Sequence, residues 1–151
     1  MGQSLSQLYV HLTFGTQKRI PMIKEEFSAP LHSYIAGIHK NFESPALIIN
    51  SVADHIHILF RLSKNYSLSR IVEEVKKNSS KWAKDQQNGH QKFTWQKGYG
   101  AFSISSSHVE RVTKYISNQK EHHAKNSYKQ EVEEFIHNYD VIEYSSEYFW
   151  S

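Results

Sequence analysis

The 151-residue chain is long enough for one domain with a single hydrophobic core, and it contains no cysteine. The absence of thiols excludes disulfide bonds and thiolate metal sites, so a bound metal would have to take nitrogen and oxygen ligands. The formal net charge of +3 suits a polyanionic partner without requiring one. Because the sequence has no apolar run of about 18 residues and no secretory signal pattern, we expect a cytoplasmic protein without a membrane span.

The first half of the chain alternates between strand and helix patterns. Apolar and polar side chains alternate over residues 8–14, which predicts a half-buried strand. Apolar residues then recur at helical spacing after Ser28, a good N-cap, with Pro30 tolerated in the first turn. Residues 45–52 and 55–62 predict two strands joined by a tight turn, which form a hairpin.

The second half of the chain continues this alternation. Residues 69–84 have the spacing of an amphipathic helix, and residues 93–104 are strand-like with a break at two glycines. Ser107 and Glu110 form a capping-box pattern that predicts the start of a third helix. One more amphipathic helix is predicted in the tail.

This order of elements predicts a single domain over residues 1–151 of the α+β class, a ferredoxin-like split βαβ fold with an antiparallel sheet. Helices should cover one face of the sheet, with an extra C-terminal helix, and the other face should be open. Because side chains alternate along a strand, Ile56 and Ile58 should point towards the helices. His55 and His57 should then lie on the open face, about 7 Å apart along the backbone and close enough to bind one cation.

A helical pair extends this possible metal site. Tyr115 and Gln119 are four residues apart in the third predicted helix and therefore share one of its faces. Two imidazole nitrogens and one amide oxygen form an incomplete shell for Mg²⁺ or Mn²⁺, with positions left for water and phosphate oxygens, and Zn²⁺ is an alternative. His122, one turn further along, is a rival third ligand. The structural alternative for Tyr115 is an ordinary half-buried tyrosine of a helix.

Three short motifs follow one another along the chain: His55-Ile56-His57, Trp95-Gln96-x-Gly98-Tyr99 and Tyr115-Ile116-x-x-Gln119. Together they resemble the signatures of the single-tyrosine HUH transposases, the small enzymes of insertion-sequence-200-like mobile elements. The resemblance extends over nearly the whole chain. It implies that His55, His57 and Gln119 bind the metal. It also implies that Tyr115 is the nucleophile.

The resemblance further implies a reaction, a substrate and a partner. Tyr115 would attack a phosphodiester in single-stranded DNA that bears a hairpin, forming a 5′-phosphotyrosine and releasing a 3′-OH. The strands would later be rejoined, so that a small mobile element is excised and inserted. Mg²⁺ or Mn²⁺ would withdraw charge from the scissile phosphate. The family acts as a homodimer, in which the tyrosine helix of one subunit can serve the histidine pair of the other.

Basic and aromatic residues are candidates for binding the DNA strand. The basic candidates, expected around the open face and along one side of the second helix, are Lys18, Arg19, Arg61, Arg70, Lys77, Lys81 and Lys84. A lysine-rich helix surface is, however, more often simply solvated. Tyr99 could stack on an unpaired base, and so could Trp95 and Phe102, which fit a core role equally well.

Two other residues and three rival functions complete the sequence-based hypotheses. His11 is expected on the open face near the site, and Asp54 could either orient His55 or only form the turn before it. The chain could instead be a non-catalytic module that binds single-stranded nucleic acid, or a hydrolase in which a metal activates water. A relaxase or replication initiator would usually be part of a longer chain.

Overall fold

Alternating apolar side chains place the strands in one antiparallel sheet. The computed structural model describes residues 2–86 and 92–151. The strands of this part of the chain are β1 (Leu8–Gly15), β2 (Ala46–Val52), β3 (His55–Leu62) and β4 (Gly100–Ile104). Their order in the sheet is β2-β3-β1-β4, and every neighbouring pair is antiparallel. This topology confirms the predicted α+β class and the split βαβ order.

Helices connect and follow the strands. They are α1 (Glu25–Asn41), α2 (Leu68–Asp85), α3 (Val109–Ser117), α4 (Gln119–Lys125), α5 (Tyr128–Asn138) and α6 (Ser146–Phe149). Among the described residues, no helix has both the length and the apolar composition needed to cross a membrane.

The face of the sheet towards α1 and α2 forms the main hydrophobic core. Alternate residues of β1 and β3 point into it, and Leu12, Ile56 and Ile58 are completely buried there. Ile35 of α1 and Val75 of α2 pack against them. Burying one such aliphatic side chain stabilises the fold by about 1.5–3 kcal/mol. The predicted direction of the β3 side chains is therefore confirmed.

The opposite face of the sheet is covered too, which corrects the expectation that it is open. Val112 and Ile116 of α3 pack against Leu59 of β3 and Ile104 of β4. α5 also lies over this face, where the ring centroid of Phe135 is 6.2 Å from that of His57. The apolar stripes of α3 and α5 favour burial, and the apolar residues of this face provide the surface for it. A site on this face therefore lies inside the protein.

The first helix starts earlier than predicted. α1 begins at Glu25 with Lys24 as its N-cap, and Ser28 lies inside the first turn, where its hydroxyl donates a hydrogen bond to the Glu25 carbonyl oxygen at 2.9 Å. Glu25 and Glu26 are both favourable beside the unpaired N–H groups of a helix start. Pro30 consequently lies beyond the first turn, inside the helix, which corrects its predicted place in the first turn.

The predicted start of the third helix is also wrong. Ser107 lies in a 3₁₀ turn, and α3 begins at Val109 with His108 as its N-cap and no side-chain cap bond. A capping box does occur in the chain, at α5, where Ser127 and Gln130 exchange hydrogen bonds with each other's backbone N–H. This cap positions the helix that carries a residue of the site described below.

The predicted strand over 93–104 is shorter in the structure, because β4 occupies only its end. Before β4, Trp95 forms an isolated bridge with Thr16. The Nζ atom of Lys76 donates hydrogen bonds to the carbonyl oxygens of residues 96–98 at 2.6–3.1 Å. A lysine side chain thus satisfies the carbonyl groups that a neighbouring strand would otherwise bind.

Candidate active site

Two imidazole rings of β3 are buried side by side on the face under α5. His55 and His57 are 0 % exposed, and their ring centroids lie 5.1 Å apart. Each ring has a partner at its Nδ1 atom: Asp54 Oδ1 lies 2.7 Å from His55, and His11 Nε2 lies 2.8 Å from His57. Asp54 thus contacts His55 in addition to forming the turn. When Nδ1 carries the proton, Nε2 keeps the lone pair that a metal ligand needs.

Glu131 of α5 brings a carboxylate to both Nε2 atoms. Its Oε2 lies 3.3 Å from His55 Nε2, and its Oε1 lies 3.0 Å from His57 Nε2. Glu131 is 4 % exposed and lies on the same side of α5 as the buried Tyr128 and Val132. It is absent from the predicted site. The sequence nevertheless contains an indication of its role, since Glu131 lies among the apolar residues on one side of the helix. A charge buried there is costly unless a partner compensates it.

Tyr115 and Gln119 reach the same carboxylate from the other side. The single helix predicted to carry both residues breaks at Asn118, which ends α3 and precedes α4. Tyr115 Oη donates a short hydrogen bond to Glu131 Oε1, and Gln119 Nε2 donates to the same oxygen at 3.1 Å. Gln119 Oε1 lies 3.1 Å from His55 Nε2. The predicted site residues therefore converge, and Glu131 lies at their centre.

The neighbouring histidines of α4 lie differently. The ring centroid of His122 is 4.5 Å from that of Tyr115. His123 Nε2 lies 3.8 Å from Asp54 Oδ1. Within the described ranges, two groups of histidine and acidic side chains have ligand atoms close enough to share an ion, namely His55 with His57 and Glu131, and Asp54 with His55 and His123. His122, the predicted rival ligand, is in neither group.

Burial and neighbouring charges set the protonation of these groups. Burial disfavours a charge on His55, but its contacts with the carboxylates of Asp54 and Glu131 raise its pKa to about 9. Burial lowers the pKa of His57 below its usual value and, together with the nearby His57, lowers that of His11 to about 3. Burial would raise the pKa of Glu131, but its contacts with the two histidines of β3 hold that pKa well below the usual range. The carboxylate at the centre is therefore ionised.

The Tyr115 phenol is kept in its protonated form. Burial and the adjacent Glu131 carboxylate both raise the pKa of Tyr115 above its usual value. A protonated phenol is a weak nucleophile, so it needs a proton acceptor and electrostatic help at the atom it attacks. Glu131 Oε1 accepts its hydrogen bond and is a proton acceptor in direct contact.

The spacing of the ligand atoms fits a small divalent cation. His57 Nε2 and Glu131 Oε2 are buried and form no hydrogen bond with the described residues. Neighbouring ligands of an octahedral ion that lie about 2.1 Å from it are about 3 Å apart. The contacts of 3.0 and 3.3 Å between the imidazole nitrogens and the carboxylate have this spacing. Imidazole, carboxylate and amide groups are also ligands that Mg²⁺, Mn²⁺ and Zn²⁺ accept.

The basic candidates on α2 lie away from this site. α2 packs on the opposite face of the sheet, and it carries Arg70, Lys77, Lys81 and Lys84. Arg70 and Lys77 contact Glu74 of the same helix at 3.5 and 3.2 Å. The structure therefore does not bring the α2 residues around the histidine pair.

The other basic candidates lie at the two ends of the central strands. Lys18 and Arg19 are exposed just after β1, at the end where Gly15 pairs with His55. The guanidinium carbon of Arg19 lies 4.8 Å from the ring centroid of Trp150. Arg61 is exposed at the far end of β3.

The aromatic candidates for base stacking are mostly interior. Trp95 is 5 % exposed, and its Nε1 donates a hydrogen bond to Ser79 Oγ at 2.9 Å. Phe102 is 7 % exposed and stacks on Tyr139 with 4.9 Å between ring centroids. Both fit the core alternative. Tyr99 is only half-buried.

These observations define a class of protein, in which an antiparallel split βαβ sheet carries a buried histidine pair and a following helix brings a tyrosine to it. The sequence matches the family profile described as transposase IS200 like over residues 4–119, and the chain belongs to that family. It is accordingly a DNA transposase, an enzyme that binds and recombines DNA. The family that the motifs resemble is thus confirmed.

Two solved structures share the fold. A candidate transposase from Deinococcus radiodurans R1 superposes with a TM-score of 0.59 at 19 % identity, over 79 % of this chain and 96 % of that one. A REP-associated tyrosine transposase bound to a REP hairpin superposes with a TM-score of 0.60 at 16 % identity, over 82 % of this chain and 74 % of that one. At these identities the likeness shows the fold alone. A comparison with curated proteins finds no significant match.

Proposed function

We propose that this transposase cuts and rejoins single-stranded DNA through a covalent bond to Tyr115, next to a divalent metal ion. The observation that carries the proposal is a convergence of atoms. Tyr115 Oη and the Nε2 atoms of His55 and His57 all contact the carboxylate of Glu131. Nucleophile and metal ligands thus lie within reach of one phosphate group.

The ligand set in this proposal is mixed. His55 and His57 would bind through Nε2, Glu131 through its carboxylate, and Gln119 through Oε1, which lies 3.1 Å from His55 Nε2. These four side chains would hold Mg²⁺ or Mn²⁺ and would leave room at the ion for water and a phosphate oxygen. When bound, the ion withdraws charge from the scissile phosphate and makes its phosphorus a better electrophile.

Tyr115 supplies the nucleophile. Its Oη bonds to phosphorus, the bond from phosphorus to the 3′ oxygen breaks, and that oxygen takes up a proton to leave as a 3′-OH. Glu131 Oε1 accepts the phenolic hydrogen bond and is placed to take the phenol's proton as the new bond forms. Because one phosphoester replaces another, the 3′-OH of a second strand can reverse the step without ATP.

The nucleophile acts in cis in this proposal. The ring centroid of Tyr115 lies 5.9 Å from that of His57 in the same chain. An exchange of tyrosine helices between subunits, which the family resemblance allows, is therefore not required for completing the site. The homodimer stays a prediction, and its role would be to hold two DNA ends for strand exchange.

The proposed substrate is a single strand that bears a hairpin. One protein with this fold is described as bound to a REP hairpin. In this chain, the exposed Lys18 and Arg19 lie at the end of β1 that pairs with His55, where they suit DNA phosphates. An imperfect palindrome in the DNA that flanks the gene would supply the hairpin.

An adduct assay tests this function. We expect that Mn²⁺ and a labelled oligonucleotide carrying the flanking palindrome give a protein–DNA adduct that survives denaturation. Tyr115→Phe should abolish the adduct, because it removes the only attacking oxygen of that side chain. Tyr34→Phe, on the far side of the sheet in α1, should retain it. An adduct that survives Tyr115→Phe would contradict the proposal, and cleavage without an adduct in both variants would indicate a hydrolase that uses water.

A further inference from the structure

We propose that the cavity beside Tyr115 binds one unpaired nucleotide that adjoins the scissile phosphate. The inference rests on the proposed function, because it assigns part of the DNA strand to a surface next to the proposed nucleophile. The cavity has a volume of about 330 Å³. Small-ligand sites in proteins start at about 300 Å³, so there is room for a single base with its sugar.

The cavity lies next to the groups that are proposed to react. It lies between β4, α3 and α5, and Tyr115 forms part of its wall. His11 forms another part, and its Nε2 contacts His57 Nδ1 at 2.8 Å. A group bound here therefore lies directly beside the nucleophile and beside the residue that orients a proposed metal ligand.

The inner wall of the cavity is aromatic. Phe135 lies with its ring centroid 5.6 Å from that of Tyr115. Tyr139 stacks on Phe102 and is still 41 % exposed, so part of its surface remains available. Unpaired bases stack on aromatic side chains of this kind, and each stack contributes sequence-tolerant affinity.

The rim of the cavity is polar and basic. Arg111 and His108 are exposed on it, and no carboxylate of the described residues forms an ion pair with Arg111. Asn138 of α5 adds an amide. A guanidinium that lacks an acidic partner suits a DNA phosphate, and short polar side chains suit the edge of a base. Aromatic wall and basic rim together match one nucleotide of a single strand.

A nucleotide held in this way would act as a positioning contact. The strand would be fixed on one side of Tyr115, so that the next phosphate lies between the phenol and the imidazoles. Fixing the reacting groups in advance removes part of the entropic cost of the reaction.

A binding experiment tests the inference without any chemical step. Fluorescence anisotropy would measure the affinity of Tyr115→Phe for a hairpin-bearing oligonucleotide whose unpaired nucleotides are replaced one at a time by an abasic residue. We expect one position to weaken binding by about 10-fold or more, and the others by less than about 3-fold.

Two variants locate the effect in the cavity. Asn138→Trp, on the side of α5 that carries Glu131 and Phe135, should fill the cavity, weaken binding of the intact strand to a similar extent and remove the difference between positions. Ser33→Trp, at an exposed position of α1, should do neither. Arg111→Ala, which leaves the packing of the cavity wall unchanged, should weaken binding several-fold, whereas Lys40→Ala on α1 should not.

The outcomes separate this inference from the proposed function. Equal tolerance of abasic residues at every position, or an Asn138→Trp protein that keeps the full position dependence, would overturn the cavity proposal even if Tyr115 forms an adduct. Position-dependent binding that Asn138→Trp removes would support it even if no adduct is detected. Thermal unfolding of each variant shows whether a loss of binding is only a loss of folding.

Discussion

The two faces of the sheet are built from the same strands but are stabilised in different ways. Towards α1 and α2, β3 presents Ile56 and Ile58, which pack among other apolar side chains. Towards α3 and α5, it presents His55 and His57, which are equally buried but meet carboxylates and a third imidazole. Periodicity in the sequence reveals both faces. Only the partners of the polar residues show that one of them is a chemical site.

A buried histidine on the other side of the molecule sharpens this contrast. His39 of α1 is 0 % exposed, and its Nδ1 lies 2.9 Å from the Ser44 carbonyl oxygen. Burial lowers the pKa of His39 to about 4, so it is a neutral structural residue at physiological pH. His55 is just as buried, but its carboxylate neighbours raise its pKa to about 9. The facing carboxylates, and not burial itself, distinguish the site histidine.

The largest effect is expected for loss of a site histidine. His57→Ala should slow adduct formation by about 10³-fold or more, because a metal that neutralises the scissile phosphate lowers the barrier by several kcal/mol. Single-turnover assays in Mn²⁺ would measure the rate. His39→Ala is the matched control, since it removes a buried histidine and should lower stability without changing this rate below the unfolding temperature. Equal rates of adduct formation for His57→Ala and wild type would contradict the assignment of the chemical site to the face that carries His57.

The neighbouring residue on the strand should show the reverse pattern. Ile58→Ala is expected to lower the free energy of unfolding by about 2–5 kcal/mol, because it leaves a cavity in the main core. Denaturant titration would measure that loss. Adduct formation by the fraction that stays folded should keep its wild-type rate. A large loss of rate in the folded protein would show that the two faces are not independent.

A smaller effect, on metal affinity, is expected for Asp54, which contacts His55 at Nδ1 and not at the proposed metal-binding nitrogen. Asp54→Asn keeps the shape of the side chain but removes the charge that holds the Nδ1–H of His55 at 2.7 Å. Affinity for Mn²⁺ should fall by about 10- to 100-fold, the usual effect of losing an outer partner of a metal-binding histidine. Isothermal titration calorimetry would measure this affinity, with Glu73→Gln on the exposed surface of α2 as control. Unchanged Mn²⁺ affinity would mean that Asp54 only forms the turn.

The local sequence pattern was sufficient to predict the bounds of β3 and the face of the sheet to which each of its side chains points. The predicted strand 55–62 coincides with β3, and the alternation of side chains assigned Ile58 and His57 to opposite faces correctly. Such information is local, because a period of two residues and a tight turn fix the register of a hairpin. The same holds for the helix predicted over 69–84, which the structure extends by one residue at each end.

The sequence pattern could not predict which distant parts of the chain pack against each other. The contact between Glu131 and His55 joins residues far apart in the chain, and nothing in the pattern of α5 says which surface its apolar stripe will cover. The break of the helix at Asn118 also depends on long-range packing, because helix propensity alone favours one continuous helix there. The break lets Gln119 reach His55. The open face was predicted because helices were assigned to a single layer of the fold.

The central claim is that His55, His57 and Glu131 share one divalent cation. Crystals of the protein grown with Mn²⁺ would test it most directly, through the anomalous scattering of the metal. One strong peak is expected at about 2.1–2.3 Å from both imidazole Nε2 atoms and from a carboxylate oxygen of Glu131. A peak bound instead by Asp54 and His123, or no peak between the two imidazoles, would contradict it.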